Sequence, residues 1–455
     1  MTETPICDFV REYAASGSLR LHMPGHKGQP FLGMEALDIT EIDGADVLYK
    51  ANGIIKRSEE IAASLFGTAK TLYSAEGSSL SIRAMLYLTL LYAKAQGKPP
   101  RIAAGRNAHK VFMTAAALLD MEIAWIFPKR QENLLSCEIT PEDLDAYLSA
   151  EAEKPAAVYL TSPDYLGNMA DIGQLSKVCH QYGVLLLVDN AHGAYLRFLP
   201  EPSHPMALGA DLCCDSAHKT LPVLTGGAYL HISANAPGLF PEQAENAMAL
   251  FASTSPSYLI LQSLDAANRY LAEGYRERLA GFTQKVSALK SRLRAAGYTL
   301  AGTEPLKVTV AAKGRGLSGT ELARKLLEEK IVCEFSDPDY AVMMLTPESG
   351  GSALERMEDA LLSIPPKAPV REPVPPFTRP VQRLSPREAL HSDSRELDID
   401  ECQGRVLASA TVSCPPAIPI VVCGEVIDKA AIRLLRYYGI TTCRVVQPRV
   451  PDLNR

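Results

Sequence analysis

The sequence reads as an α/β protein: a large domain built on a mostly parallel sheet covered on both faces, then a smaller α+β C-terminal domain. Three observations carry this. Short apolar runs alternate with amphipathic helical segments between about residues 60 and 235. The run "GVLLLVDN" (183–190) is apolar almost throughout, as a central strand buried on both faces must be. Beyond Leu264 the alternation gives way to a charged helical stretch and then to a proline-rich run.

Taken in order, "GSSLSIRAMLYLTLLYAKAQG" (77–97) places Ile82, Leu86, Leu90 and Ala93 on one helical face. "RIAAG" (101–105) is a short strand, "NAHKVFMTAAALLD" (107–120) a helix, and "IAWIF" (123–127) and "AAVYLTS" (156–162) are strands. "MADIGQLSKVCHQYG" (169–183) is a helix stopped by Gly183, and "GAYLHIS" (227–233) is a strand. The stretch 265–297 is a charged linker helix. "PLKVTVAA" (305–312) and "AVMMLTP" (341–347) are strands around a helix at 318–330. "IPPKAPVREPVPPFTRP" (364–380) cannot be regular helix or central strand and is an extended connector. The expected division is an N-terminal segment (1–45), a large domain with its linker helix (46–300) and a C-terminal small domain (301–455).

Composition narrows the function. The chain has 455 residues, 47% hydrophobic and 22% charged, as in globular proteins. Its net charge of −6 and the lack of a basic run argue against nucleic acid as a partner. The ten cysteines form no CxxC pair, so neither a metal site nor a disulfide framework is expected. The start, "MTETPICDFVREYAAS", has no signal-type apolar core, and no run of about 18 apolar residues would span a membrane. A cytoplasmic protein is expected.

The chemistry lies in "DSAHKTLPVLTGGAYL" (215–230), which sets Lys219 among strands and turns. Asp189 ends an apolar strand 30 residues earlier. Ser78 and Ser79 open a helix after a glycine, where hydroxyls and free N–H groups suit a phosphate. In parallel sheets, ligands bind at the carboxyl ends of the strands. Together these are the parts that hold pyridoxal 5'-phosphate: a lysine for the Schiff base, a carboxylate for the pyridine nitrogen, and a phosphate cradle. The lysine must be uncharged to react. Its ordinary pKa of about 10.4 must fall by roughly 3 units, on the order of 4 kcal/mol, which burial can supply. Each piece has an ordinary reading: Lys219 as a surface lysine, Asp189 as a turn residue, Ser78 and Ser79 as helix caps, His109 as a helix-start residue, His192 as a cap. Only their order and spacing together favour the cofactor.

Over almost its whole length the chain resembles the Orn/Lys/Arg decarboxylase family of fold-type-I pyridoxal-phosphate enzymes, in its compact bacterial form. "LHMPGHKG" (21–28), "TEIDGADVLYKANGIIKRSEEIAASLFG" (40–67), "SAEGSSLSIRAM" (74–85), "NAHKV", "LTSPDYLGN" and "LLVDNAHGAY" follow in family order. "DSAHKTLPVLTGGAYLHI" resembles the cofactor-lysine signature and is the most specific motif. "STSPSYLILQSLD" (253–265) and "GRVLASATVSCPPAIPIVVCGEVI" (404–427) are similar to later family segments. The resemblance implies a fold like aspartate aminotransferase and a homodimer or larger oligomer with active sites at the interface. It implies Lys219 as the Schiff-base lysine, Asp189 at the pyridine nitrogen and His109 stacked on the ring. It places Ser78, Ser79, Ser216, His218 and Thr254 at or near the phosphate, His192 beside the ring and Ser255 near the substrate. Glu334 and Asp337 match an acidic pair near the substrate's distal cation.

The chain departs from the family pattern at Gly44, Ala45 and Asp46, where Asp-Leu-His is frequent. Asp164 replaces a threonine, and His192 stands where some relatives have tryptophan. Ala417 and Cys423 replace glycine and proline. The reaction expected is decarboxylation of arginine, lysine or ornithine to agmatine, cadaverine or putrescine, the precursors of polyamine metabolism. Alternatives on the same fold are transamination, aldol cleavage or elimination, and, in another class, a non-catalytic regulator. Transamination would want an arginine for the substrate carboxylate, and none is assigned.

Overall fold

The computed structural model describes residues 2–129, 135–414 and 418–447. Helix α1 (Pro5–Ala15) buries Ile6, Cys7 and Val10 and packs against α2 (Ile54–Phe66). The seven strands of the main sheet follow, threaded with helices. They are β1 (Lys70–Ser74), α3 (Ser78–Ala95), β2 (Arg101–Gly105), α4 (Lys110–Leu119), β3 (Glu122–Ile126), α5 (Pro141–Ala150), β4 (Ala157–Thr161), α6 (Ile172–Gln181), β5 (Leu185–Asp189), β6 (Leu212–Asp215), α7 (Ala217–Thr220) and β7 (Ala228–Ile232). The spatial order is β1-β7-β6-β5-β4-β2-β3. β2 to β6 are mutually parallel, while β7 runs antiparallel to both β1 and β6. β1 therefore points the same way as β6. The expected strands are present, and two short ones, "KTLYS" and "LCCD", join them.

α8 (Leu239–Ala249) and α9 (Tyr258–Ala272) lead to α10 (Tyr275–Ala295). The stretch expected as one linker helix is thus two. Gly274, at φ +73°, adopts the left-handed backbone that only glycine takes without penalty, and the chain turns there. A second, antiparallel sheet of β8 (Thr299–Ala301), β9 (Lys307–Ala311), β10 (Phe335–Ser336) and β11 (Tyr340–Met344) has the order β10-β11-β9-β8. α11 (Gly319–Glu328) and α12 (Gly350–Ser363) accompany it, α11 packing on β11 and α12 on α10. From 365 to 381 there is neither helix nor strand, as the prolines require. α13 (Pro386–Leu390) then packs on α4. β12 (Ser394–Asp398), β13 (Thr411–Cys414), β14 (Ile418–Val422), α14 (Lys429–Tyr437) and β15 (Thr442–Val446) complete the chain, with β12 paired to β15 and β13 to β14. Ala417 lies outside the described residues; Cys423 is buried.

Two polar devices tie distant segments together. The Arg106 guanidinium, just past β2, donates to both Glu425 carboxylate oxygens at 2.7 and 2.6 Å, with both side chains almost fully buried. Glu425 also accepts the Val422 N–H at 2.8 Å, and Arg106 lies over the Trp125 ring. Near the N-terminus, the departure at Asp46 has a local role. Its carboxylate accepts the N–H groups of Val47, Asn52, Gly53 and Ile55 at 2.8–3.0 Å, gathering the loop before α2 and its first turn. Partial burial opposes ionisation there, but these N–H groups hold the carboxyl below its ordinary range.

Removing one partner of the buried pair should be severe. Glu425→Ala should cost about 3–5 kcal/mol in denaturant unfolding, and a paired apolar replacement of Arg106 and Glu425 should recover much of it. Asp46→Asn should cost about 1–2 kcal/mol at pH 7, since a half-exposed carboxylate is partly screened by solvent. Because the folded pKa of Asp46 is depressed, its contribution is complete above the unfolded value of about 3.9 and fades as pH falls through the folded one. The wild-type and variant stabilities should therefore converge on acidification, in melting curves from pH 7 down to about 3.

Candidate active site

Parallel pairing brings the carboxyl ends of β1, β2, β4, β5 and β6 to one side of the sheet. A cavity of about 200 Å³ opens there, lined by Ser78, Ile82, Asn107, His109, Leu135, Thr161, Pro163, Tyr165, Asp189, Ala191, His192 and Lys219. Each side chain is positioned by the strand end or helix start that carries it.

Lys219 sits on the four-residue helix α7, between β6 and β7. The neighbouring His218 pins that helix, donating to the Gly227 carbonyl from its backbone N–H (3.1 Å) and from Nδ1 (3.0 Å). Gly226, at φ +100°, lies so close to Ala75 that a Cβ would meet its carbonyl oxygen at 3.0 Å. The turn after the lysine thus packs directly on the turn that opens α3. Ser216 completes the contact, its hydroxyl donating to Ser78 Oγ at 2.8 Å. Ser79 follows in the first turn of α3 and is half-buried.

Asp189 ends β5 with its carboxylate buried. It accepts from Tyr159 OH (3.0 Å) and the Ala191 N–H (3.2 Å). His109 caps α4, its Nδ1 accepting the Val111 N–H at 3.3 Å, and burial depresses its pKa, which favours the neutral ring. Burial likewise lowers the pKa of Lys219, against the opposing pull of Asp189 and Glu334. Lys219 Nζ lies 2.9 Å from His192 Nε2.

Beneath β6, Asp215 is a fully buried hub. Its Oδ2 accepts from His204 Nε2 (2.9 Å) and His231 Nε2 (3.1 Å), and its Oδ1 from Asn190 Nδ2 (2.6 Å). The outer ring nitrogens are also occupied, by the Met206 N–H and the Thr71 hydroxyl. Burial raises the Asp215 pKa, but the two imidazoles outweigh it and hold the carboxyl well below its ordinary range. The hub fixes the end of β6 and, through Asn190, the residue after Asp189.

Other expected site residues lie elsewhere. Thr254 and Ser255 are on an exposed turn before α9, and Thr254 does not line the cavity of the single chain. Glu334 is exposed beside the cavity and accepts from Tyr165 OH at 3.3 Å. Asp337 is buried in the turn between β10 and β11, where Oδ1 accepts the Asp339 and Tyr340 N–H groups at 2.7 and 2.6 Å. The sequence reading did not single out Tyr159, Thr161, Tyr165, Asn107 or Lys307. Lys307 carried one signal, a lysine heading an apolar strand, "KVTVA".

The donor set fits pyridoxal phosphate: an amine on depressed pKa, a buried carboxylate, an imidazole, and hydroxyls at the start of α3. Among the described residues the Thr161 hydroxyl, buried at the cavity, has no partner, which leaves an open hydrogen-bonding position for a polar ligand atom.

Sheet and site together define a fold-type-I pyridoxal-phosphate enzyme. Its fold is like that of a Francisella novicida lysine decarboxylase (TM-score 0.79, 16% identity, 98% of this chain and 81% of that one). It is also like a Sphingomonas wittichii serine palmitoyltransferase (TM-score 0.53, 17% identity, 69% and 77%). Among sequences it is 28% identical to an arginine decarboxylase of Bacillus subtilis (strain 168), over 94% of this chain and 92% of that one. It is 30% identical to the uncharacterized protein YaaO of the same organism, over 95% and 93%. The chain belongs to the Orn/Lys/Arg decarboxylase family, whose major domain matches residues 4–310 and whose C-terminal domain matches 377–451. It is a pyridoxal-phosphate-dependent amino-acid decarboxylase.

Tyr159→Phe removes a hydrogen bond to a buried carboxylate and should cost about 1.5–3 kcal/mol, measured by denaturant unfolding of the cofactor-free chain.

Proposed function

We propose that the protein decarboxylates a basic amino acid, with arginine first among arginine, lysine and ornithine. The convergence of Lys219, Asp189, His109 and Ser78 on one cavity, with Glu334 beside it, carries this reading. Arginine is favoured because several full-length relatives are named arginine decarboxylases.

Bound pyridoxal phosphate supplies the electron sink for the pair released as the Cα–carboxylate bond breaks. The chain's residues do the rest. Lys219 would hold the cofactor and would be released as an amine when an uncharged substrate amine takes its place. Asp189 would pair with the pyridine nitrogen and keep a proton there. His109 would pack on the ring face, and His192 would lie beside the ring. Ser78, Ser79, Ser216 and His218 serve the phosphate and its surroundings. Ile82, Leu135 and Pro163 give the cavity an apolar side, which favours loss of charge from the substrate carboxylate. Lys219 or a neighbouring acid returns a proton to Cα. Glu334 meets the distal guanidinium or ammonium, with Asp337 shaping the turn that follows it.

A homodimer or larger oligomer completes the site. Two features support it: Leu19, Leu21, Met23, Phe31 and Leu32 are each at least 69% exposed in the single chain, and the turn carrying Thr254 and Ser255 is left exposed. In the oligomer, Thr254 would reach the phosphate and Ser255 the substrate of a neighbouring subunit. A cytoplasmic place in polyamine metabolism fits the cysteines, all free among the described residues. Among those residues, no helix is long and apolar enough to cross a membrane.

Separate incubations with arginine, lysine and ornithine should give chiefly agmatine, with less or no cadaverine and putrescine. Lys219→Ala should lose both product and the visible absorption band of the lysine-bound cofactor. A band without any amine product would overturn the reading.

A further inference from the structure

Lys307, the first residue of β9, comes from the second sheet yet ends beside the cavity of the first. Its Nζ lies 3.1 Å from the Asp164 carbonyl oxygen, 3.3 Å from that of Tyr165 and 3.1 Å from His192 Nδ1. The other nitrogen of the same ring, Nε2, lies 2.9 Å from Lys219 Nζ. One imidazole therefore bridges the buried Lys307 and the half-buried Lys219. One departure from the family pattern lies here: His192 is the bridge itself.

Counting protons restricts the states. Burial, reinforced by a positive charge on a neighbouring lysine, keeps His192 neutral, so its ring carries one N–H and one lone pair. It can accept from one ammonium and no more. If both lysines were charged, one would face an N–H. The linked groups can therefore hold one positive charge in satisfied geometry, on either lysine. An ammonium at Lys307 has three acceptors for its three N–H bonds: two carbonyls and Nδ1. An ammonium at Lys219 has, among the described residues, the ring alone. Carboxylates act on both ends. Burial opposes the charge at both lysines; against it, Glu304 and Asp164 favour the charge at Lys307, while Asp189 favours it at Lys219 and Glu334 acts on both. His109 and His218 face the ring as well. The two carbonyls decide for Lys307.

We propose that Lys307 is a positioning residue that takes up, through His192, the proton Lys219 has to lose, and so holds Lys219 as the free amine. The transfer balances within the three groups. Lys219 Nζ gives a proton to His192 Nε2, and His192 Nδ1 gives its own to Lys307 Nζ. The ring changes tautomer and the total charge is unchanged. Afterwards Nε2–H donates to the lone pair of Lys219 and fixes its side chain at the cavity. An indole at position 192 could only donate and could pass no proton.

The inference rests on Lys219 being the cofactor's lysine, but its test needs no turnover. The full-length protein, freed of cofactor, is trace-labelled with acetic anhydride from pH 6 to 11, and acetylation of Lys219 is read by peptide mass spectrometry against exposed Lys94. In wild type, Lys219 should become reactive at lower pH than Lys94. In Lys307→Met its midpoint should rise by about one unit or more, roughly tenfold less free amine near neutrality. Lys307→Arg, which keeps a charged donor, should stay close to wild type. An unmoved midpoint in Lys307→Met would overturn the proposal. Should that variant not fold, nitrogen-15 spectra of histidine-labelled wild type decide: His192 should carry its proton on Nε2, and a proton on Nδ1 sinks the idea. Failure to form any amine product would refute the proposed reaction and leave this result standing.

Discussion

Parallel pairing is the constraint from which the site follows. Strands β2, β4, β5 and β6 are covered on both faces, so their interiors must be nearly apolar, and polar chemistry is pushed to their ends. "LLLVD" shows it within five residues: four aliphatic side chains, then Asp189 where the strand runs out. β4 does the same with Thr161, and β6 with Asp215 just before Lys219. Because these strands point one way, their ends share one cavity. Inside this stack Tyr159 spends its hydroxyl on Asp189, and the Cys214 thiol donates to the same carboxylate.

Concentrating such groups in a confined space creates a charge problem. Two lysines, a carboxylate and two imidazoles cannot all keep their solution states where water is scarce. The arrangement meets this by division. Asp189 and Asp215 are each surrounded by donors, His109 and His192 are pushed toward neutrality, and Lys307 is wrapped in carbonyls. Lys219 is left with the fewest partners, which is what a reacting amine requires.

Much of this was legible in the sequence, for physical reasons. Alternation of apolar runs and amphipathic segments marks a parallel sheet, and β2 to β5 and β7 fall within a residue or two of where those runs lie. Lys219, Asp189 and Ser78 were readable because strand ends and helix starts are local features, whereas the roles of His109 and His192 came with the family resemblance alone. "KTLYS" and "LCCD" are too short to show a period. The division of 265–297 hinges on one glycine among good helix formers. Lys307 was out of reach for a different reason: its neighbours at the cavity lie over a hundred residues away in sequence, and a lysine heading an edge of apolar residues ordinarily reaches for solvent. Thr254 and Ser255 show the converse limit, since a single chain leaves them on its surface.

The Arg106–Glu425 pair changes what the proline-rich connector can be. An exposed, irregular tether between 365 and 381 resembles a linker between separable modules. Yet the last segment returns to the first sheet, seals a guanidinium beside the strand end that leads to His109, and has its own carboxylate neutralised in exchange. A protease that cut the tether would leave two fragments still clasped, each carrying an unanswered buried charge if pulled apart. The two parts of the chain are therefore coupled: a neutral residue at either position leaves the other as a buried, unpaired charge.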